Sequence, residues 1–544
     1  MQHTLSILAT VLAVSAVGLS AGIIRNITEP EDSYDYIIAG GGLSGLVVAS
    51  RLTEDPDVSV LVVEYGDFDD SLNVDLPFYS KTMQIDNVFF HTSVPQVGLN
   101  NRITSLASST LTLPSDELVA RYEYALSSKG FGDGPVQVSL PSWQWPETYT
   151  YIDAFEDAGI HVRTNGGTEG SNVGLHWNPS DIDPVNGTRS SSRRAYWDPA
   201  SGRPNLSIIV NTFVSTINLD NTTATGVNII NRVSKEGIPV RASREVILAA
   251  GAAHTPQILQ LSGIGPRDLL ENLVTNDTEL NPRAMNDPEF LADALEEYWE
   301  NKTGPITHTG KSCRVMLNLH NLSDQADSII AGLEGEDPTE HLSVIYTQSE
   351  ELRAGYKAQH TIMTKMIKRQ DVSVFEHTFG GGPDISFHPQ KPFSRGTIRI
   401  TGTDPHPAES PVSIDFRAMT HPLDMKIAIL GLKFGRMIMA SDKMGTLGAL
   451  ETAPGPDIVG DEELEELFRS RYVNPSNAHP VGTTSMMPRE LGGVVDPNLR
   501  VYGVKGLRVV DAGTMPMLPT CHTQATTYAI AEKAADLIKE EDVV

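Results

Sequence analysis

Asp35-Tyr-Ile-Ile-Ala-Gly40-Gly-Gly42-Leu43-Ser44-Gly45-Leu-Val-Val-Ala-Ser-Arg-Leu52, followed shortly by Val58-Ser-Val-Leu-Val-Val-Glu64, is the stretch that decides how this chain folds. The first apolar run is short and ends in glycines, which reads as a buried strand entering a tight turn. Leu43, Leu46, Val47 and Leu52 then recur at helical spacing, and the β-branched run at 58–63 supplies a second strand. Strand, helix and strand make a compact βαβ unit. Within it, Gly40 permits the turn, Gly42 lets backbone N–H groups approach a pyrophosphate, and Gly45 lets helix and strand pack closely. Glu64 stands 19 residues after Gly45, where an acid accepts from ribose hydroxyls. The pattern predicts a dinucleotide site and disfavours a ribose 2′-phosphate, leaving FAD and NAD undistinguished.

Working outward, Leu206–Val210, Val246–Ala250 and Leu507–Val510 are further short apolar runs of the kind buried in a parallel sheet. They are scattered along the chain, so a doubly wound domain has to be assembled from separated pieces. The intervening stretches, roughly 112–184 and 276–478, form a second domain; they hold Trp143 and Trp145 and an acidic amphipathic segment, Asp461 to Tyr472, with Leu464, Leu467 and Phe468 on one face. There is no internal repeat.

With 544 residues and 40% apolar content the chain can bury a large core. Its 69 acidic against 41 basic residues give a formal charge of -28, which repels phosphate backbones and anionic membranes and argues against a nucleic-acid partner. Residues 1–22 carry an apolar run from Leu5 to Leu19, with small residues Ala16, Gly18, Ser20 and Ala21 available for a signal-peptidase site, the pattern of a cleaved signal peptide, and no later segment spans a bilayer. Seven Asn-x-Ser/Thr sites (Asn26, Asn186, Asn205, Asn221, Asn276, Asn301 and Asn321) fit export as a glycoprotein, secreted or in the endomembrane lumen. Cys313 and Cys521 could form one disulfide there; no CxxC or Cys/His constellation is present, and no metal is expected. Gly18-Leu-Ser-Ala-Gly22 matches GxSxG only formally, since it lies in the leader without strand, turn and helix around it.

Three later segments carry a resemblance. Gly251-Ala-Ala-His-Thr-Pro-Gln-Ile-Leu-Gln-Leu-Ser-Gly-Ile-Gly265, Asn477-Ala-His-Pro-Val-Gly-Thr483, and Asp511-Ala-Gly-Thr with Pro519-Thr-Cys-His-Thr-Gln-Ala-Thr-Thr-Tyr-Ala-Ile-Ala-Glu-Lys533 resemble, in order, the second signature, the active-site histidine motif and the closing segment of the glucose-methanol-choline (GMC) oxidoreductases. The resemblance runs from Tyr34 to Ile538. It implies an α/β fold: a Rossmann-like FAD-binding domain from discontinuous segments (33–111, 185–275 and 479–544), and an α+β substrate-binding domain with an antiparallel sheet (112–184 and 276–478).

It further implies FAD as cofactor, held around Gly40, Gly42, Leu43, Ser44, Gly45, Glu64, Val214, Asp511, Ala512, Thr523 and Gln524. Oxidising an alcohol removes a proton from oxygen and a hydride from carbon, so a base and an electron sink are needed. The resemblance puts His479 in the place of the base, facing the flavin, with His522 as its partner on the substrate oxygen. An unperturbed imidazole titrates near 6.5, close to working pH. The run Thr523 to Ile538 reads helical, and its N-terminus would favour negative charge on the reduced flavin. Asp511 resembles a position near the ribityl and pyrophosphate portion, with a turn cap as its blander role.

One departure stands out. After Asn100-Asn-Arg102, family members continue into a Gly-Gly-Ser-Ser segment and an Asn that contacts the isoalloxazine. This chain passes through Ile103-Thr-Ser-Leu-Ala-Ser-Ser-Thr-Leu-Thr-Leu-Pro114 to Ser115 instead. Loss of a flavin-covering loop would admit water to the ring. Three readings follow. One is oxidation of an alcohol, aromatic or from secondary metabolism, with oxygen or another electron acceptor. The second is a member of the fold without competent flavin binding, and the third is a hydroxynitrile-type lyase.

Overall fold

All five apolar runs picked out above lie side by side as parallel strands of one sheet. The structure is a computed structural model that describes residues 22–69, 75, 91–92, 96–100, 105–106, 134–139, 147–163, 172–177, 179–265, 313–379, 386–403, 412–448, 451, 453–476, 478–520 and 522–542, with backbone alone at 91–92 and 105–106. The leader, Trp143, Trp145, Asn276, Asn301, Asn477, Cys521 and all of Ile103–Pro114 except the backbone of 105–106 lie outside the described residues.

The strands are β1 (Ile23–Ile24), β2 (Ser33–Ala39), β3 (Val60–Val63), β4 (His91–Thr92), β5 (Ser105–Leu106), β6 (Gly174–Trp177), β7 (Leu206–Ile209), β8 (Thr212–Asp220), β9 (Thr223–Asn231), β10 (Gly237–Leu248), β11 (Cys313–Leu317), β12 (Phe375–Phe379), β13 (Ser386–Pro389), β14 (Thr397–Ile400), β15 (Val412–Asp415) and β16 (Leu507–Val509). The large sheet has the order β1-β7-β3-β2-β10-β9-β8. β10 begins nine residues before the run read from sequence, because its first half, polar and partly exposed, pairs antiparallel with β9 while its apolar end pairs parallel with β2 and β16. Only that apolar end carries a buried-strand signal.

Two helices cover one face of this sheet, Leu43–Leu52 and Thr523–Asp542. The second runs four residues past the Ile538 expected for it, its last turn carried by charge: Lys539 reaches Glu54 at 2.5 Å and Glu541 meets the buried Arg508. Between the two helices Arg51 contacts Glu532 and, at 3.0 Å, Asp536, while Ala531, Ala534, Ala535 and Ile538 are buried. Small residues bring helix backbones close, and the ion pairs close the rim of the contact.

The second sheet, β13-β12-β11-β6, is antiparallel and packs around Trp177, Phe155, Phe375 and Phe379. Thr397–Ile400 forms β14, in a separate two-stranded pair with β15. That pair lies against the helix Gly251–Leu261, where Gln260 accepts from the Ile400 N–H at 2.9 Å. The acidic segment forms a helix at Asp461–Leu467 that buries Leu464 and continues as a wider turn burying Phe468. Cys313 opens β11 fully buried, and the disulfide open to it would be with Cys521, which lies outside the described residues.

Asn205 also departs from expectation. Its amide nitrogen donates to the carbonyls of Thr53, Asp55 and Val58 at 3.3, 2.8 and 2.8 Å, which turns the only atom a glycan could take into the protein. Expression in a glycosylating host should leave Asn205 unmodified by peptide mass mapping. Gly45 gives a second test. A Cβ there would lie 1.9 Å from the Gly40 carbonyl oxygen, so Gly45→Ala should lower stability by roughly 1–3 kcal/mol, read as a depressed calorimetric midpoint.

Candidate active site

The glycine turn forms the first part of the site. Gly40 has φ +106°, and a Cβ on it would meet the Ala249 carbonyl oxygen at 2.5 Å, so both backbone and contact require glycine. Gly42 N-caps the helix Leu43–Leu52 without a side-chain cap, no acid occupies the first turn, and no heavy atom lies within 4 Å of where its Cβ would be. The helix's positive end and its first N–H groups, around Leu43 and the buried Ser44, thus face open space of the kind a pyrophosphate fills. Glu64 folds back on the turn, accepting from the Gly41 N–H at 2.6 Å and the Gly66 N–H at 2.7 Å. Each oxygen keeps a lone pair for a ribose hydroxyl. Val214 is buried on β8 beside a bulge in its pairing with β9. These residues fit the adenosine and pyrophosphate portions of FAD.

Asp511 follows β16 and is buried. Its carboxylate accepts from the Gly251 N–H at 3.0 Å, the Thr255 hydroxyl at 2.6 Å and the Gly513 N–H at 2.8 Å. Burial pushes its pKa up against the pull of these donors. It caps the turn Ala512–Thr514 and also joins that turn to the start of the helix Gly251–Leu261. The loop bearing His479 is laced to the same place: Thr483 donates to the Ala252 carbonyl, and the Thr484 and Met486 N–H groups donate to Gly513 and Thr514. Ala478, immediately before the histidine, has φ +59°, the strained geometry that functional sites tolerate when surroundings impose it.

His522 is delivered from the other side. Three side chains from outside the large sheet donate to carbonyls leading up to it: Gln359 to Pro516 at 2.8 Å, Lys391 to Leu518 at 2.7 Å and Asn172 to Thr520 at 2.6 Å. The result brings the two predicted histidines together, ring centroids 4.6 Å apart and nearly edge to face. They open on a cavity of about 2100 Å³ whose walls include Met363, Phe375, Phe387, Met439 and Glu376. Thr523 begins the helix, while Gln524 is turned onto Asp181, a carboxyl that burial raises to about 6.

Glu376 was not singled out from sequence. It lies fully buried on β12, with Oε1 3.5 Å from His522 Nε2 and 3.3 Å from Arg314 Nε, and Oε2 accepting from Gln390 at 2.6 Å. Burial would raise its pKa, but Arg314 and His522 hold it well below the usual carboxylate range. The signal available was an acid inside the aromatic run Phe375-Glu-His-Thr-Phe379, a place where an unpaired charge is not tolerated. His479 departs from the value of free imidazole. Burial first, then His522 alongside, push it down to about 4, with Arg314 and His388 adding to the effect and Glu376 opposing it. It is therefore neutral, with a free lone pair for a proton, throughout the physiological range.

Among the described residues one group has the composition of a metal site, Glu336, His360 and His421, spread over 85 residues and so invisible to a search for closely spaced ligands. His421 Nδ1 accepts from the Leu423 N–H, which puts its proton on Nε2, facing Glu336 Oε1 at 3.0 Å. His360 Nε2 approaches the same oxygen at 2.8 Å. The trio is closed by hydrogen bonds that tie two helices together, and metal at His421 Nε2 would displace the proton toward an N–H donor.

Comparison with known proteins places this geometry. Residues 108–278 and 392–531 match the N- and C-terminal family models described as GMC oxidoreductase. The chain is 32% identical to the dehydrogenase xptC of Emericella nidulans, over 95% of each chain, and 30% identical to the GMC oxidoreductase family protein Mala s 12 of Malassezia sympodialis, over 93% of this chain and 92% of that protein. It superposes with TM-score 0.86 on an FAD-dependent oxidoreductase from Chaetomium thermophilum, 31% identical, over 94% of this chain and all of that one. A fungal aryl-alcohol oxidase gives 0.83 at 26% identity, over 95% of this chain and all of the other. The xptC alignment runs to 600 positions, whereas 95% of this chain is about 517 residues, so about 83 aligned positions have no residue here.

Asp511→Ala strands three buried donors and should cost about 3 kcal/mol or more, seen as a large drop in the calorimetric midpoint. Asp511→Asn, which keeps the shape and one acceptor oxygen, should lose less.

Proposed function

From the premise that this chain belongs to the GMC oxidoreductase family, FAD-dependent enzymes acting on CH–OH groups, we propose that it oxidises an aromatic or secondary-metabolite alcohol to the carbonyl, with His479 as the base. The observation that carries this reading is the His479–His522 pair, edge to face at 4.6 Å on the wall of a large, partly aromatic cavity. The histidine arrangement suits the removal of one proton. Neutral His479 takes the hydroxyl proton, and His522 donates a hydrogen bond to the same oxygen. The positive charge that accrues is balanced by Glu376 across His522. Bound FAD supplies the hydride acceptor. The N-terminus of Thr523–Asp542, immediately after His522, presents its positive end to that region.

The aromatic and sulfur-bearing walls (Phe375, Phe387, Met363, Met439) suit a ring-bearing substrate, and the fungal aryl-alcohol oxidase neighbour supports that class. Oxygen or another acceptor would complete the cycle. The apolar leader supports export, and among the described residues no helix is long and apolar enough to cross a membrane. A second reading, a member whose flavin binding is impaired, is favoured by the about 83 aligned positions without a residue; the departure at Ile103–Pro114 is one place for the shortfall.

The visible spectrum of the purified protein separates the two. Under the first reading it shows a bound-flavin band that bleaches when benzyl alcohol is added anaerobically; under the second the protein is colourless. His479→Ala should slow bleaching by about 10²–10⁴-fold without removing the band. Because His479 is depressed to about 4, its base form is complete above roughly pH 6 and is lost as pH falls through that value. The bleaching rate should therefore be flat from about pH 6 to 8 and decline toward pH 4. An acid limb centred near 6.5 would contradict the buried environment of His479.

A further inference from the structure

Glu376 Oε1 is shared. Arg314 Nε approaches it at 3.3 Å from β11, and His522 Nε2 at 3.5 Å from the active site, so one carboxylate oxygen stands between a permanent cation and an imidazole. All three lie in a protein interior where charges are poorly screened: Glu376 has 1% of its side chain exposed, Arg314 13% and His522 29%. Strand geometry makes the arrangement obligatory. β11 and β12 pair antiparallel with Met316 opposite Glu376 and Arg314 opposite Thr378, which puts Arg314 and Glu376 on one face of the sheet as diagonal neighbours. His388 stands directly opposite Glu376 on β13, and Gln390 fixes the other carboxylate oxygen.

We propose that Arg314 is a positioning residue of the alcohol-oxidising site, whose guanidinium balances Glu376 and thereby keeps His479 free of a proton until the substrate delivers one. The proposal rests on the base role given to His479 above. A lone buried carboxylate beside His522 would draw a proton from water into the resting site. An imidazolium 4.6 Å from His479 would then oppose a second positive charge on that base. With Arg314 present the Arg–Glu pair is neutral overall. The dipole that remains points its negative end at His522, enough to favour the positive charge that proton abstraction adds to the site.

Among the described residues the charged or titratable groups that enter the balance are Arg314 on β11, Glu376 and His377 on β12, His388 on β13, and Lys391, whose ammonium donates to the Leu518 carbonyl in the same wall. On the far side of Arg314 its cross-strand neighbour on β6 is His176, which burial keeps below its ordinary pKa. Of these, Arg314 and Glu376 are the ones in ion-pair contact with each other, and the Glu376 carboxylate is the one that touches His522.

The test is histidine-ring NMR titration of the flavin-loaded protein, with His479 and His522 signals assigned by single substitution, alongside the pH profile of anaerobic flavin reduction. Arg314→Gln should raise the pH at which the Glu376–His522–His479 group takes up its first proton by ~1–2 units and move the acid limb of reduction by the same amount. Arg314→Lys should restore most of the shift. Glu376→Gln should move the uptake in the opposite direction, and the double variant should return to within about half a unit of wild type, as a neutral pair replaced by a neutral pair requires. An unmoved midpoint in folded Arg314→Gln, or singles that shift the same way, overturns the proposal. If Arg314→Gln fails to fold, Glu376→Gln and the double variant carry the test. A wild-type protein whose histidines titrate as described but whose flavin no alcohol bleaches would refute the oxidation reading and leave the charge balance standing.

Discussion

The contact between Gly40 and the end of β10 is the constraint on which the rest of the site depends. The Ala249 N–H donates to the Ala39 carbonyl, and Gly40 packs against Ala249 with no room for a side chain. This pins the turn that opens the helix Leu43–Leu52. It also fixes where β10 ends, and three residues later Gly251 begins the helix whose first N–H and Thr255 hydroxyl are taken by Asp511. Asp511 follows β16, itself paired with the last residues of β10. The glycine turn, the Asp511 junction and, through Thr483 and Thr484, the His479 loop are thus registered at one edge of one sheet. In open α/β sheets the carboxyl ends of parallel strands are where ligands bind, because helices begin there and side chains do not fill the crevice.

The chemistry is set by a different balance. The chain is strongly acidic overall, yet the two carboxylates that matter most are buried and hold their places by opposite means. Asp511 is surrounded by neutral donors, so burial dominates and its pKa rises. Glu376 lies against Arg314, so the ion pair dominates and its pKa falls. The histidine beside it gains from neither alone. His479 sits low because desolvation and a neighbouring imidazole both disfavour a second proton, and surface charge separated by more than a Debye length contributes little. The ordinary value of an imidazole therefore lies above the one that burial imposes on His479.

The legibility of the fold and of the site differs for a physical reason. Strands of a parallel sheet are buried on both faces, so β2, β3, β7, β16 and the end of β10 are written as uninterrupted apolar runs that need no partner to be seen. The polar first half of β10 and the pair β14–β15 are not, since one side of each is exposed and their partners decide their place. Asn205 shows the same limit: what an amide meets depends on what faces it in space, and here the carbonyls of Thr53, Asp55 and Val58 do.

By itself the amino-acid sequence determined the βαβ unit with its glycine turn, because local spacing encodes it, while the resemblance of its later motifs supplied the family and the flavin and pointed to His479 and His522. Tertiary structure decided what those histidines experience. Arg314, Glu376 and His388 come from three strands, with Gln390 just after the third, separated by up to 76 residues, and Asn172, Gln359 and Lys391 reach the chain before His522 from still farther along it. No spacing rule links them. Electrostatic interactions depend on distance and burial rather than on order along the chain, so the proton state of the site exists only once the sheet has formed.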